Sequence, residues 1–145
     1  MLEIVNGGLL VQDFYEKYHR IAMENNCGAC CVFCGVVREE NQNDGLSFDI
    51  YEPLLRKWFE EWRLKLQNDK ALLCMAHSKG DVLNQESSFI CAIISSQRKV
   101  ALKYYEEFVE DFKHNAPIWK YDLREGKRIY AKDRSHQLPQ SGIFA

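Results

Sequence analysis

The sequence has only three prolines, no surplus of positive charge, and no apolar stretch near the ~18–20 residues that a membrane-spanning helix needs. Few prolines mean few forced breaks, so long helices and strands can form. Nineteen Lys and Arg against 21 Asp and Glu leave a formal net charge of −2. A protein that lives by neutralising phosphates normally carries a basic excess, so a main role in nucleic-acid binding is excluded, and Arg98-Lys99 and Lys127-Arg128 read as solvated charge. The start MLEIVNGGLL carries Glu3 and has no basic stretch leading into an apolar core, unlike an export signal. Four of the six cysteines (Cys27, Cys30, Cys31 and Cys34) cluster early, and Cys74 and Cys91 lie in apolar runs, instead of all being spaced as a disulfide framework. The expected protein is neither exported nor bound to a membrane, and its expected compartment is the cytoplasm. With 46% hydrophobic and 28% charged residues in a chain of 145, disorder is excluded as the main state and one domain over residues 1–145 is expected.

Hydrophobic periodicity predicts three helices. Leu10, Phe14, Tyr18 and Ile21 mark the first, over about 10–24. Pro53 opens the second, whose apolar face is Leu55, Trp58, Phe59, Trp62 and Leu66. The third, with Ser95 or Ser96 as its cap, shows Ala101, Tyr105, Phe108 and Phe112, and Pro117 ends it. Between them, the runs 29–37, 46–51, 72–76 and 89–94 read as strands, with a turn around Gly80 separating the last two. A closing hairpin joins 118–123 to 128–131 across Glu125-Gly126. The order α-β-β-α-β-β-α-β-β pairs its strands, which favours an antiparallel α+β fold over a doubly wound parallel sheet.

Three clusters could carry chemistry. In CGACCVFC, Cys27-x-x-Cys30 and Cys31-x-x-Cys34 suggest zinc or redox work. If 29–37 is a strand, however, Cys30 and Cys34 share one face and Cys31 takes the other, so four thiolates cannot converge on one ion and packing is the simpler role. Lys113 and Lys120 flank a helix end and Trp119. Two ammonium groups brought close repel each other and become usable proton donors or nucleophiles, although lysines at a helix C-terminus also complement its dipole. Arg38 follows a buried strand and Gly35, a good anchor for an anion clamp, although a solvated arginine at a strand end is about as common, and Gln97-Arg98-Lys99 places two cations where a helix begins. His77, after a strand, is a candidate base or a structural histidine.

Taken in order, GACCVFCGVVR (28–38), IYEP (50–53), AHSKGDV (76–82), ISSQRKVA (94–101) and DFKHNAPIWK (111–120) resemble the large catalytic subunits of molybdopterin synthase over about residues 28–132. The block Lys-x-x-x-Pro-x-Trp-Lys and the strand end Phe-x-Gly-x-x-Arg carry most of that resemblance. It implies an α/β hammerhead-type domain with additional antiparallel α+β structure, working as a homodimer within a heterotetramer. Its partner would be a small ubiquitin-like sulfur carrier whose C-terminal Gly-Gly ends in a thiocarboxylate. The implied reaction moves two sulfurs in turn onto cyclic pyranopterin monophosphate, opening the cyclic phosphate and forming the molybdopterin dithiolene, with neither metal nor cofactor needed. The alternative is a docking module that binds the carrier without turnover.

The same resemblance makes Lys113 and Lys120 the catalytic residues and places Phe33, Arg38, Gln97 and Arg98 around the substrate. The family usually has His-Arg where this chain has Gln97-Arg98, and His-Arg where it has His77-Ser78. Gln97 can hydrogen-bond a substrate but cannot exchange protons near neutral pH. Arg98 and Lys113 stand 15 positions apart on one predicted helix, or roughly 22 Å along its axis. Each active site is therefore expected to combine Lys113 and Lys120 of one chain with Arg98 of a second. Beyond Asp133 the tail shows no period, and Leu138, Ile143 and Phe144 are its candidates for docking on the dimer or the carrier.

Overall fold

The computed structural model describes residues 1–131, so Leu138, Ile143 and Phe144 lie outside the described residues. The elements in chain order are β1 (Leu2–Asn6), α1 (Val11–Glu24), β2 (Ala29–Val36), β3 (Gly45–Ile50), α2 (Glu52–Asn68), β4 (Leu72–Leu83), β5 (Ser87–Ser95), α3 (Arg98–Asn115), β6 (Ile118–Arg124) and β7 (Lys127–Tyr130). The fold is α+β. Its seven-stranded sheet runs β2-β5-β4-β3-β6-β7, and β1 adds to β4. All pairings are antiparallel except β1 with β4.

Alternation along the central strands sorts the side chains into two layers. Leu73 and Met75 of β4, with Phe89, Cys91 and Ile93 of β5, face α2 and α3, where Leu55, Phe59, Leu66 and Phe108 complete the larger core. Cys74, Ala76, Ile90, Ala92 and Ile94 face the opposite way, onto Phe14, Tyr18 and Ala22 of α1. Both faces of β5 are therefore covered, which is why its sequence reads as an unbroken apolar run. The cysteines of β2 divide in the same manner: Cys31 packs on the α2/α3 side and Cys30 on the α1 side. All six cysteines are unpaired, and burial pushes the thiols of Cys30 and Cys31 up and that of Cys74 up to about 11. Among the described residues, no three His, Cys, Asp or Glu side chains are grouped to hold a metal. No described helix is long and apolar enough to cross a membrane.

Three local expectations need correction. Gly80 does not turn the chain: β4 runs through it to Leu83, and the reversal falls just beyond, where Gln85 takes a positive φ of 72°. At Gly80, with φ 81°, the same edge of β4 changes neighbour, from β1 up to Lys79 to β3 from Gly80 onward. A left-handed conformation lets the strand re-aim between two partners, and glycine adopts it without steric cost. The cap of α3 is Gln97 with no side-chain bond, because the Ser95 hydroxyl donates instead to the Gln97 carbonyl oxygen. Finally, β1 precedes the elements expected from periodicity.

Gly45 meets a tighter constraint. A Cβ there would lie 2.1 Å from the Val82 carbonyl oxygen and 2.9 Å from Leu83 Cα, so β3 could not stay against β4. Gly45→Ala is expected to cost about 1–3 kcal/mol, the usual range for overpacking, and to lower the urea midpoint. An unchanged midpoint would show that the strand pair accommodates the methyl group.

Candidate active site

A cavity of about 290 Å³ opens between the C-terminal half of α3 and the sheet face that carries the larger core. Phe33 of β2, His77 of β4, Phe89 of β5, and Leu46 and Phe48 of β3 form its floor, and Val109, Phe112 and Lys113 of α3 overhang it. Those three helix positions share one face by the i, i+3, i+4 rule. Ile118 and Lys120, alternate residues on one face of β6, close the far side.

The corner at Pro117 brings the two lysines together. Proline cannot continue a helix and forces the preceding residue into extended backbone. Ala116 obeys, with φ −63° and ψ 134°, while its N–H still donates to the Phe112 carbonyl oxygen. The chain thus leaves α3 two residues after Lys113 and returns as β6, with Lys120 paired opposite Phe48. Lys113 is exposed at the rim and Lys120 is half-buried. Among the described residues no carboxylate lines this space, so its polar rim attracts anions into an apolar, aromatic-floored pocket.

The other expected residues are placed differently. Arg38 follows Val37, which does line the cavity, but its side chain is 82% exposed and pairs with Glu40 at 3.6 Å. Gln97 and Arg98 begin α3, at the opposite end from Lys113, and they do not line the cavity of their own chain. One continuous 18-residue helix joins Arg98 to Lys113, which keeps them roughly 22 Å apart. The structure therefore unites Phe33, Lys113 and Lys120 and leaves Arg38, Gln97 and Arg98 outside. His77 is a poor candidate for a base. It is 3% exposed, and burial lowers its pKa from 6.5 to about 4 despite its bond to the Ser78 backbone. Phe48, Phe89 and Phe112 were missed as lining residues because the direction of a buried aromatic depends on strand register and helix packing, which motif spacing does not encode.

Behind Lys113, the last turns of α3 are tied to α2. The indole N–H groups of Trp58 and Trp62 both donate to one Asp111 carboxylate oxygen, at 2.8 and 2.7 Å, and the Asn115 amide donates to the other at 2.6 Å. Burial alone would raise the carboxyl pKa, but the bonds from Asn115, Trp62 and Trp58, with the Lys65 charge, outweigh it and hold Asp111 below the usual carboxylate value. Asp111→Ala would strand two indole donors, at a cost of roughly 2–4 kcal/mol. A clear drop in thermal midpoint is expected, and an unchanged midpoint would show that solvent replaces the clamp.

Comparison with known proteins identifies relatives along the whole chain. The MoaE protein family matches residues 9–115. The molybdopterin synthase catalytic subunits of two Helicobacter pylori strains, 26695 and J99, are 54% and 50% identical to it over 145 residues, covering all of both chains. A solved complex of subunits 1 and 2 of molybdopterin-converting factor from Helicobacter pylori 26695 contains a chain that superposes with a TM-score of 0.94 at 54% identity, over 99% of each chain.

Proposed function

The chain belongs to the MoaE protein family and is a molybdopterin synthase catalytic subunit, a sulfurtransferase of molybdenum cofactor biosynthesis, and we propose that the cavity between α3 and the sheet is where its sulfur transfer takes place. The observation that carries this reading is the convergence of Lys113 and Lys120, from a helix end and a strand, on one aromatic-floored pocket. Both natural occupants are anionic, so a pocket with a cationic rim and, among the described residues, no lining carboxylate suits them. The partner is the small sulfur-carrier subunit, whose Gly-Gly thiocarboxylate enters beside the lysines. The second substrate is cyclic pyranopterin monophosphate.

In this reading the residues act by charge and proton placement. The carrier's sulfur attacks the pterin, and the acyl carbon it leaves is taken by water, so that the carrier departs as a carboxylate. Lys113 and Lys120 hold the negative charge that develops on the acyl oxygen and supply protons to leaving oxygens. Phe33 packs against the substrate, and Arg38, one residue beyond a lining position, reaches its phosphate with a charge-assisted bond. The site of action is the cytoplasm, which suits six thiols that are all unpaired.

Arg98 and Gln97 enter through a second copy. An arginine roughly 22 Å along the helix from Lys113 cannot reach the same small molecule, so the homodimer supplies Arg98 and Gln97 of one chain to the cavity of the other. Heterodimers of Lys113→Ala and Arg98→Ala chains test this by mass-spectrometric detection of product. A shared site leaves one of the two cavities intact, and about half of wild-type activity is expected per heterodimer. A site built within one chain leaves both cavities damaged and gives none.

A further inference from the structure

An imidazole nitrogen that faces a carbonyl oxygen must carry the hydrogen, since a carbonyl only accepts. His77 Nδ1 lies 2.7 Å from the Ser78 carbonyl oxygen, so Nδ1–H donates there and Nε2 keeps its lone pair. Nε2 has no hydrogen-bond partner among the described residues. The side chain is 3% exposed, and what it borders is the cavity that also holds Lys113 and Lys120. The pKa of about 4 keeps the ring neutral at physiological pH. His77 is thus a fixed acceptor, held in place and deprived of a donor, in a pocket whose lysines are donors.

Its neighbours select the kind of donor. Phe48 meets the imidazole edge-on at 4.9 Å between ring centroids, and Phe112 and Phe89 lie at 5.6 and 5.8 Å. A slot bounded by rings suits a fused heterocycle that presents an N–H at its edge. A Gly-Gly tail has no side chain with which to fill such a slot.

We propose that His77 is a specificity-determining residue for the pterin: its Nε2 accepts a hydrogen bond from a ring N–H of cyclic pyranopterin monophosphate while Lys113 and Lys120 face the anionic groups. This rests on the cavity being the sulfur-transfer site. An analogue lacking that N–H leaves Nε2 unpaired inside the pocket, which is how a buried polar group rejects near-isosteres.

The test compares wild-type chain, His77→Phe and His77→Gln, each with thiocarboxylated carrier. Phenylalanine keeps the aromatic packing and removes the acceptor; glutamine can donate to the Ser78 carbonyl oxygen and still accept. The KM for pterin is expected to rise about tenfold in His77→Phe and to recover to within about threefold in His77→Gln, with the KM for carrier unchanged in both. An unchanged pterin KM, or a rise confined to the carrier KM, would overturn the proposal. Nitrogen-15 spectroscopy of the wild-type chain gives a readout independent of any variant's folding. Adding pterin alone should move the Nε2 resonance toward a hydrogen-bonded acceptor, and no movement at saturation would overturn the proposal. Wild-type chain that binds carrier yet makes no dithiolene would overturn the reading of the cavity itself, which is a distinct result from an active wild type matched by His77→Phe.

Discussion

Lys113→Ala is expected to lower the rate of sulfur transfer by about 10²–10⁴-fold, the range associated with losing a positioned proton donor or charge, while leaving the fold intact and the carrier docked. The separation of these effects follows from where the residue sits. Lys113 is exposed in the last turn of α3, and truncation of an exposed side chain usually changes stability by no more than about 0.5 kcal/mol. Its favourable interaction with the helix dipole adds roughly 0.3–1 kcal/mol, too little to unfold a chain whose α3 is anchored by Ala101, Tyr104 and Phe108. Steady-state turnover, the thermal midpoint and carrier affinity measured on one preparation distinguish the cases. Full activity in Lys113→Ala would reduce the lysine to a helix-end charge.

Mild acid is expected to destabilise the folded chain chiefly through His77. Between pH 6.5 and about 4 the unfolded chain takes up a proton on this imidazole and the folded chain does not, because burial holds its folded pKa near 4. Stability therefore falls as pH drops through that window, and the loss ends below it. At about 1.4 kcal/mol per pKa unit, the full effect is on the order of 3.5 kcal/mol, or roughly three hundredfold in the folding equilibrium. Asp111 contributes in a separate and lower window. Its folded pKa is depressed, so its stabilisation is present above the ordinary value of 3.8 and is lost only as pH falls below it. Urea unfolding at pH 7 and 4.5 should show the loss in wild type and a flatter dependence in His77→Phe. Equal slopes in the two proteins would contradict the burial argument.

The helices were legible because their apolar stripes are long. Tyr18, Leu55, Leu66 and Phe108 fall at helical spacing, and each is fully buried. Pro53 and Pro117 fall at helix limits for the reason proline always does. What escaped was set by tertiary partners. The segment LEIVN is too short for alternation to announce a strand, and it becomes β1 only because β4 offers an edge from Met75 to Lys79. Gly80 reads as a turn, yet its positive φ serves a change of neighbour inside one strand, and the true reversal uses Gln85, a residue with no turn preference to notice. The site divides in the same way. Lys113, Lys120 and Phe33, which the motifs around them single out, line one cavity, whereas Arg98 is separated from Lys113 only by counting helical rise. The cavity role of His77 and the aromatic floor depended on β2, β5, β4 and β3 lying side by side, and no local pattern encodes that arrangement.

Gln97 cannot exchange protons near neutral pH, so turnover by this chain is the result that tests the functional reading most directly. The chain, thiocarboxylated carrier and cyclic pyranopterin monophosphate are incubated together, and mass spectrometry follows both the pterin and the carrier C-terminus. The expected result is the dithiolene product, with two carriers returned to carboxylate for each pterin converted and product from the Lys113→Ala chain formed about 10²–10⁴-fold more slowly. Carrier bound at the normal stoichiometry with its thiocarboxylate intact and the pterin unchanged would contradict it, leaving the chain as a docking subunit.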